Sequence, residues 1–293
     1  MSARSLHRPT ASQATLSGRP DAAPSALVHD EVLDPQFRHE AVLNAWYCRV
    51  PPRRADADGR VLLCFPWAGG GQAGFKAWRE LVSAEMELWL ARLPGREDRI
   101  REVPSSDAGA LISELAAAAT AVTDRPYALF GHSFGALLAF WVAVALSGTS
   151  GRSPVLVAVS GARPPGSRPL DRPLSIMSDG ELVATLLSFG GSDAEVLADP
   201  EIQELLLPAI RADVAMAEEC NWRNGPVLGC PVAAFAGTGD WLAPPQLMLG
   251  WRRWTTAGFR LRVFPGGHMF PALAPDEVVA GLAEELSSAL ADA

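Results

Sequence analysis

Past residue 40 the chain alternates short, nearly all-apolar runs with longer stretches whose apolar positions recur at helical spacing. The short runs predict strands at 45–50, 60–65, 86–93, 127–130, 155–160, 232–236 and 260–264. The longer patterns predict helices at 74–84, 107–123, 134–146, 181–188, 200–219, 245–255 and 275–290. Asp107 suits a helix N-cap, and Pro245 and Pro275 suit the first helical turn, where a missing N–H costs nothing. Because most of the strand runs lack polar alternation, both faces of the sheet are expected to be covered. Strand–helix alternation then predicts an α/β fold: a mostly parallel, doubly wound sheet.

One stretch breaks the rhythm. Between Ser160 and Cys230 there is no strand pattern, only helical patterns joined by Gly190-Gly191 and Pro-rich turns. An insertion between two strands of such a sheet lies over its C-terminal edge, where these sheets bind ligands. A helical lid is therefore predicted over about 171–224. Residues 1–40 are rich in Ser, Ala, Pro and Arg, carry no periodicity, and lack the apolar segment of a secretory signal. They read as a disordered N-terminal extension, leaving 41–293 as the folded domain.

Composition narrows the function classes. With 293 residues and 48% hydrophobic, the chain can bury one large core. Its longest strongly apolar stretch, 136–146, is too short to cross a bilayer, so a cytoplasmic protein without a membrane partner is expected. A formal net charge of -8 argues against general affinity for nucleic acid or anionic lipid. Cys48, Cys64, Cys220 and Cys230 form no CxxC pair and no metal-ligand spacing, which fits reduced structural thiols and no metal site. No dinucleotide fingerprint appears, and no cofactor of the protein's own is expected.

The candidate chemistry centres on Gly131-His132-Ser133-Phe134-Gly135. GxSxG by itself is weak, and an idle serine in a glycine-rich turn is the ordinary alternative. Here an apolar strand run precedes it and Phe134 opens a helix, the strand–turn–helix context of a nucleophile elbow in an α/β-hydrolase fold. A serine hydroxyl needs a base. Of five histidines, His7, His29 and His39 lie in the extension, and His132 is expected to point away from its neighbour's hydroxyl. That leaves His268, in Gly266-Gly267-His268-Met269-Phe270 after the last predicted strand. Asp240, after the penultimate strand, preserves the order serine, acid, histidine. Asp171, Asp213 and Glu218 are its competitors. An oxyanion hole needs two backbone N–H groups, one from Phe134 and one from the Pro66–Gly71 loop. Pro66 has no N–H, so Trp67 or Ala68 donates, with Ala68 favoured. A phosphate-cradling loop is the rival for that segment, but no GxxxxGK[ST] pattern is present.

Several blocks extend this picture: Phe65-Pro66-Trp67-Ala68-Gly69-Gly70, Leu93-Pro94-Gly95-Arg96-Glu97, the elbow, Gly237-Thr238-Gly239-Asp240, Trp254 and Gly266-Gly267-His268-Met269-Phe270. In this order, from about Trp46 to the C-terminus, the chain resembles the type II thioesterases that accompany modular polyketide synthases and nonribosomal peptide synthetases. The resemblance implies a monomeric serine thioesterase whose substrate is an acyl group on the phosphopantetheine arm of an acyl or peptidyl carrier protein. It implies an editing role and places Trp67 and Met269 at the acyl pocket. Relatives commonly carry a smaller ring or His at the position of Trp67, and Met at that of Phe134, so a narrowed pocket favouring short acyl chains is expected. An acidic enzyme meeting an acidic carrier needs a basic docking patch, for which Arg92, Arg96, Arg99, Arg101, Arg252 and Arg253 are candidates; a solvated charged face is the alternative. Two other functions compete: a carboxylesterase or acyltransferase of the same fold acting on a small-molecule ester or thioester, and a binding protein with a decayed site. Against the latter stands the intact Ser133, Asp240 and His268 set.

Overall fold

Within the segment Arg60–Phe65, Val61, Leu63 and Phe65 enter one core and Leu62 and Cys64 another, all at most 1% exposed. A strand turns successive side chains to opposite faces, so this run can be wholly apolar only if both faces are covered. The computed structural model describes residues 35–51, 59–82, 86–149, 152–168, 170–190, 197–220 and 225–291, and there the expectation holds. Seven strands form one sheet: β1 Tyr47–Val50, β2 Arg60–Phe65, β3 Met86–Ala91, β4 Tyr127–His132, β5 Leu156–Ser160, β6 Val232–Gly237 and β7 Phe259–Phe264. Their order is β1-β3-β2-β4-β5-β6-β7. The pairing β1–β3 is antiparallel and all the others are parallel.

Helices Ala108–Ala119 and Phe134–Thr149 cover one face, while Pro275–Ala291 and the short Trp78–Leu81 cover the other. Each large side chain buried this way contributes about 1.5–3 kcal/mol relative to exposure. Asp107 caps its helix as expected, accepting the Ala110 N–H at 2.9 Å. Two predicted helices are broken up. The 74–84 pattern resolves into a 3-10 turn Gln72–Phe75 and Trp78–Leu81, and 245–255 into Pro245–Met248 followed by the 3-10 segment Leu249–Trp254.

The helix Pro35–Trp46 was not expected. It begins ahead of residue 41 and takes the first two positions of the strand predicted at 45–50. Among its residues 40–46 only Leu43 is buried, so the sequence shows no apolar stripe there. Residues 1–34 lie outside the described part.

After β5 the chain forms a 3-10 turn Leu174–Ile176 and helices Asp179–Ser188 and Pro200–Glu219 before reaching β6. The first of these helices starts with a capping box between Ser178 and Glu181; the second starts with Asp199 as cap and Pro200 in the first turn. Their apolar faces form a third core with Phe189, Leu197 and Met269, separate from the two sheet cores. Of the stretch 171–224, residues 191–196 and 221–224 lie outside the described part. No described helix is long and apolar enough to cross a membrane.

Candidate active site

Ser133 sits between β4 and the helix Phe134–Thr149 with φ +56°, one of two non-glycine residues described with positive φ. A left-handed backbone is costly for a residue with a β-carbon and persists only where surroundings enforce it. Here they do. A β-carbon on Gly131 would lie 1.9 Å from the Gly135 carbonyl oxygen, so the turn closes only with glycine there. The Ser133 N–H donates to the Ser160 carbonyl at 2.8 Å, tying the turn to β5.

The loop after β7 delivers His268, whose Nε2 lies 3.0 Å from Ser133 Oγ. Its Nδ1 lies 2.9 Å from Oδ2 of Asp240, which follows β6. The other carboxylate oxygen of Asp240 accepts the N–H groups of Leu242 (2.9 Å) and Ala243 (3.0 Å). A carboxylate so fixed holds the imidazole proton on Nδ1 and leaves Nε2 free to accept from Ser133. Phe189 packs against the His268 ring, with centroids 4.7 Å apart. Ser133, His268 and Asp240, separate in sequence, thus form one hydrogen-bonded chain.

A second histidine–serine pair lies close by: His132 Nδ1 is 3.0 Å from Ser160 Oγ. His132 is 1% exposed and Ser160 0%, so this pair is sealed from any substrate. Burial, and then the neighbouring His268, push the pKa of His132 well below the ordinary histidine value, and it stays neutral.

Ser133 and His268 border a cavity of about 310 Å³ whose lining is mostly aliphatic and aromatic. Trp67, Ala68, Phe134 and Met269 all line it. Phe134 opens its helix, where the first N–H groups have no partner within the helix and the helix dipole favours negative charge. Helices Asp179–Ser188 and Pro200–Glu219 roof the cavity, through residues such as Leu186, Leu206 and Ile210. Among the described residues no group of three or more His, Cys, Asp or Glu side chains is placed to hold a metal ion.

The competing carboxylates are engaged elsewhere. Asp171 pairs with Arg168 on the surface. Glu218 accepts from the Leu174 N–H and the Ser175 hydroxyl. Asp213 is buried against Arg96 and the Gly69 N–H. The proposed basic patch also needs correction: Arg96 is 4% exposed and cannot dock a partner. Arg92 and Arg99 brace the 92–102 segment, Arg92 on Asp98 and Arg99 on Glu102 and the Arg92 carbonyl. Arg101, Arg252 and Arg253 are exposed, although Arg252 also lies over the Phe259 ring. From the sequence, Phe189 is not assigned to the site, and Arg96 and Asp213 are named only separately, as a docking candidate and a rival acid, not as a pair. One signal was available, since Asp213 falls on the apolar face of its helix with Leu207, Ile210 and Val214.

A mostly parallel sheet with a serine on a strained strand-to-helix turn, and a histidine and an aspartate on later strand-end loops, defines an α/β-hydrolase. The thioesterase domain family matches residues 60–286. Gramicidin S biosynthesis protein GrsT of Aneurinibacillus migulanus is 31% identical over 249 residues, covering 85% of this chain and 96% of that protein. Thioesterase PikA5 of Streptomyces venezuelae is 36% identical over 77% of this chain and 79% of its own length. Among solved structures, the type II thioesterase BorB from the borrelidin biosynthetic cluster superposes with a TM-score of 0.74 at 33% identity, covering 82% of this chain and 97% of BorB. The chain belongs to the thioesterase domain family and is a thioester hydrolase.

Proposed function

We propose that this enzyme hydrolyses acyl groups from the phosphopantetheine arm of acyl or peptidyl carrier proteins, clearing stalled or misprimed polyketide or nonribosomal peptide assembly lines. The observation that carries the chemistry is the Ser133–His268–Asp240 chain opening onto an apolar cavity. The assembly-line setting is supported by relatives named for gramicidin S biosynthesis and for the borrelidin cluster.

Ser133 Oγ attacks the thioester carbonyl carbon while His268 Nε2 takes its proton, and Asp240 stabilises the resulting imidazolium. The N–H groups of Ala68 and Phe134 receive the oxyanion. Collapse expels the carrier's pantetheine thiol, protonated by His268, and leaves an acyl-serine ester. A water deprotonated by His268 then attacks that ester, releasing the carboxylic acid and returning the proton to Ser133. The acyl chain lies in the cavity bordered by Trp67 and Met269, beneath a lid formed by the helices between β5 and β6. The exposed Arg101, Arg252 and Arg253 meet the acidic carrier surface. The enzyme works as a cytoplasmic monomer and brings no cofactor of its own, since phosphopantetheine arrives on the substrate.

The test is a panel of acyl-carrier thioesters varying in length and branching, run beside the matching free esters and with an added amine or alcohol acceptor. Carrier thioesters should be the preferred substrates and the free acid the product. Preference for free esters would point to a carboxylesterase, and acyl transfer to the acceptor to an acyltransferase.

A further inference from the structure

The helix Pro200–Glu219 turns one acid inward, and that acid reaches the loop beside the nucleophile. Asp213 is 1% exposed. Its carboxylate takes two guanidinium contacts from Arg96, one from Nη2 to Oδ1 at 2.9 Å and one from Nη1 to Oδ2. It also accepts the Gly69 N–H at 2.8 Å. Arg96 is itself held by the Pro94 carbonyl, and its Nη1 reaches the Gly70 carbonyl at 3.4 Å. Ile210, one turn before Asp213, lies so close that a β-carbon on Gly69 would stand 2.3 Å from its Cγ1. The loop after β2 is therefore clamped between the Arg96 segment on one side and the roofing helix on the other.

The Gly69 nitrogen shares a peptide plane with the Ala68 carbonyl, so holding it fixes the Ala68 backbone from one side. The turn bond from the Gly70 N–H to the Trp67 carbonyl, at 2.9 Å, holds it from the other. Together these contacts fix the two peptide planes on either side of the Ala68 α-carbon, one of which carries its N–H. We propose that Asp213 is a positioning residue that orients Ala68 as oxyanion donor only while the helix Pro200–Glu219 is seated over the cavity. This rests on the reading of Ala68 as a donor in serine-based hydrolysis. Lifting the helix withdraws Asp213 from Gly69 and strands the Arg96 charge, so the hole is complete only over a closed chamber. Turnover is thereby confined to acyl groups over which the helix has closed.

The full-length enzyme is assayed with an acyl-pantetheine thioester. Two inhibitors of the same chain length accompany it: a trifluoromethyl ketone, which forms an oxyanion adduct with Ser133, and a plain acyl amide, which does not. The informative variant is Arg96→Met/Asp213→Leu, because buried ion pairs replaced by apolar residues of similar volume commonly fold without loss. Its Tm should fall by no more than a few degrees, from the unpaired Gly69 N–H, and KM and amide affinity should stay within about threefold. Its kcat and trifluoromethyl ketone affinity should fall together by about 10–100-fold, somewhat less than deletion of an oxyanion donor. Asp213→Asn, which keeps one oxygen for Gly69 and Arg96 to share, should lose less of both, and it carries the test should the double variant not fold. A folded variant with unchanged kcat and ketone affinity overturns the proposal. Ser133→Ala separates the two levels. If it is inactive while the Asp213 variants match wild type, only the positioning role falls; if it turns over normally, the serine mechanism falls and the positioning role with it.

Discussion

A β-carbon on Gly135 would stand 2.1 Å from the carbonyl oxygen of Phe65. The helix that follows Ser133 therefore rests directly on the backbone at the end of β2, just where the Ala68 loop departs. This contact, which only glycine permits, sets the serine turn against the Ala68 loop, in addition to the bonds that hold each of them. Gly135→Ala must push these two backbones apart, and backbone yields less readily than a side chain. The expected loss is about 1–3 kcal/mol of stability, read by denaturant unfolding, together with a fall in kcat. Unchanged stability and turnover would mean that the helix is not seated on β2 in this way.

Asp240→Asn tests the orientation of His268. The Asn oxygen can keep the Leu242 and Ala243 N–H bonds that now hold Asp240, so the fold should survive. Its amide would then face Nδ1 as a donor and draw the ring into the tautomer with the proton on Nε2. That ring cannot accept from Ser133. We expect kcat to fall about 10³–10⁴-fold with Tm nearly unchanged. Ser133→Ala and His268→Ala should each cost orders of magnitude, with little further loss when combined. Retention of most activity in Asp240→Asn would remove Asp240 from the triad.

Trp67 borders the cavity while its ring also packs near Phe75 and His132, with centroids at 6.5 and 6.1 Å. Its bulk, with that of Phe134, is expected to limit acyl length. The wild-type enzyme should favour short chains, and Trp67→Ala should move the optimum toward longer ones. Rates measured over a homologous series of acyl thioesters decide this. A steady rise with chain length in both proteins would count against it.

The buried, neutral His132 has a pH signature. Its folded pKa is depressed, whereas in the unfolded chain it titrates near the ordinary value of about 6.5. Below that pH the unfolded state binds a proton that the native state refuses, so stability is lost as pH falls. The limiting slope is about 1.4 kcal/mol per pH unit for one proton. Urea unfolding at pH 7, 6 and 5 should show stability falling toward acid, and more steeply in wild type than in His132→Gln. Equal slopes would mean that His132 is not the group responsible.

Much of the fold was legible because its signals are local. A strand such as Arg60–Phe65 shows itself through the apolar run after Arg60, and the helix Pro200–Glu219 through the spacing of its apolar positions. The helix Pro35–Trp46 has no such stripe and could not be read. The broken helices after Gly71 and Pro244 show the limit of apolar spacing, which does not distinguish an α-helix from short helical turns in succession.

The site divides along the same line. The sequence by itself supplied the candidate chemical parts: Ser133 on a strand–turn–helix, one histidine left by elimination, and Asp240 in the fitting chain order with Asp171, Asp213 and Glu218 still in competition. Each follows from covalent neighbours and the order of elements. Only the tertiary structure decided what meets at long range. It turned Arg96 from a candidate docking residue into the buried partner of Asp213, 117 residues away. It also sealed His132 against Ser160, and brought Phe189 onto the ring of His268. A side chain's partner and its exposure to water depend on which elements converge in space, and chain-local patterns carry no record of that convergence.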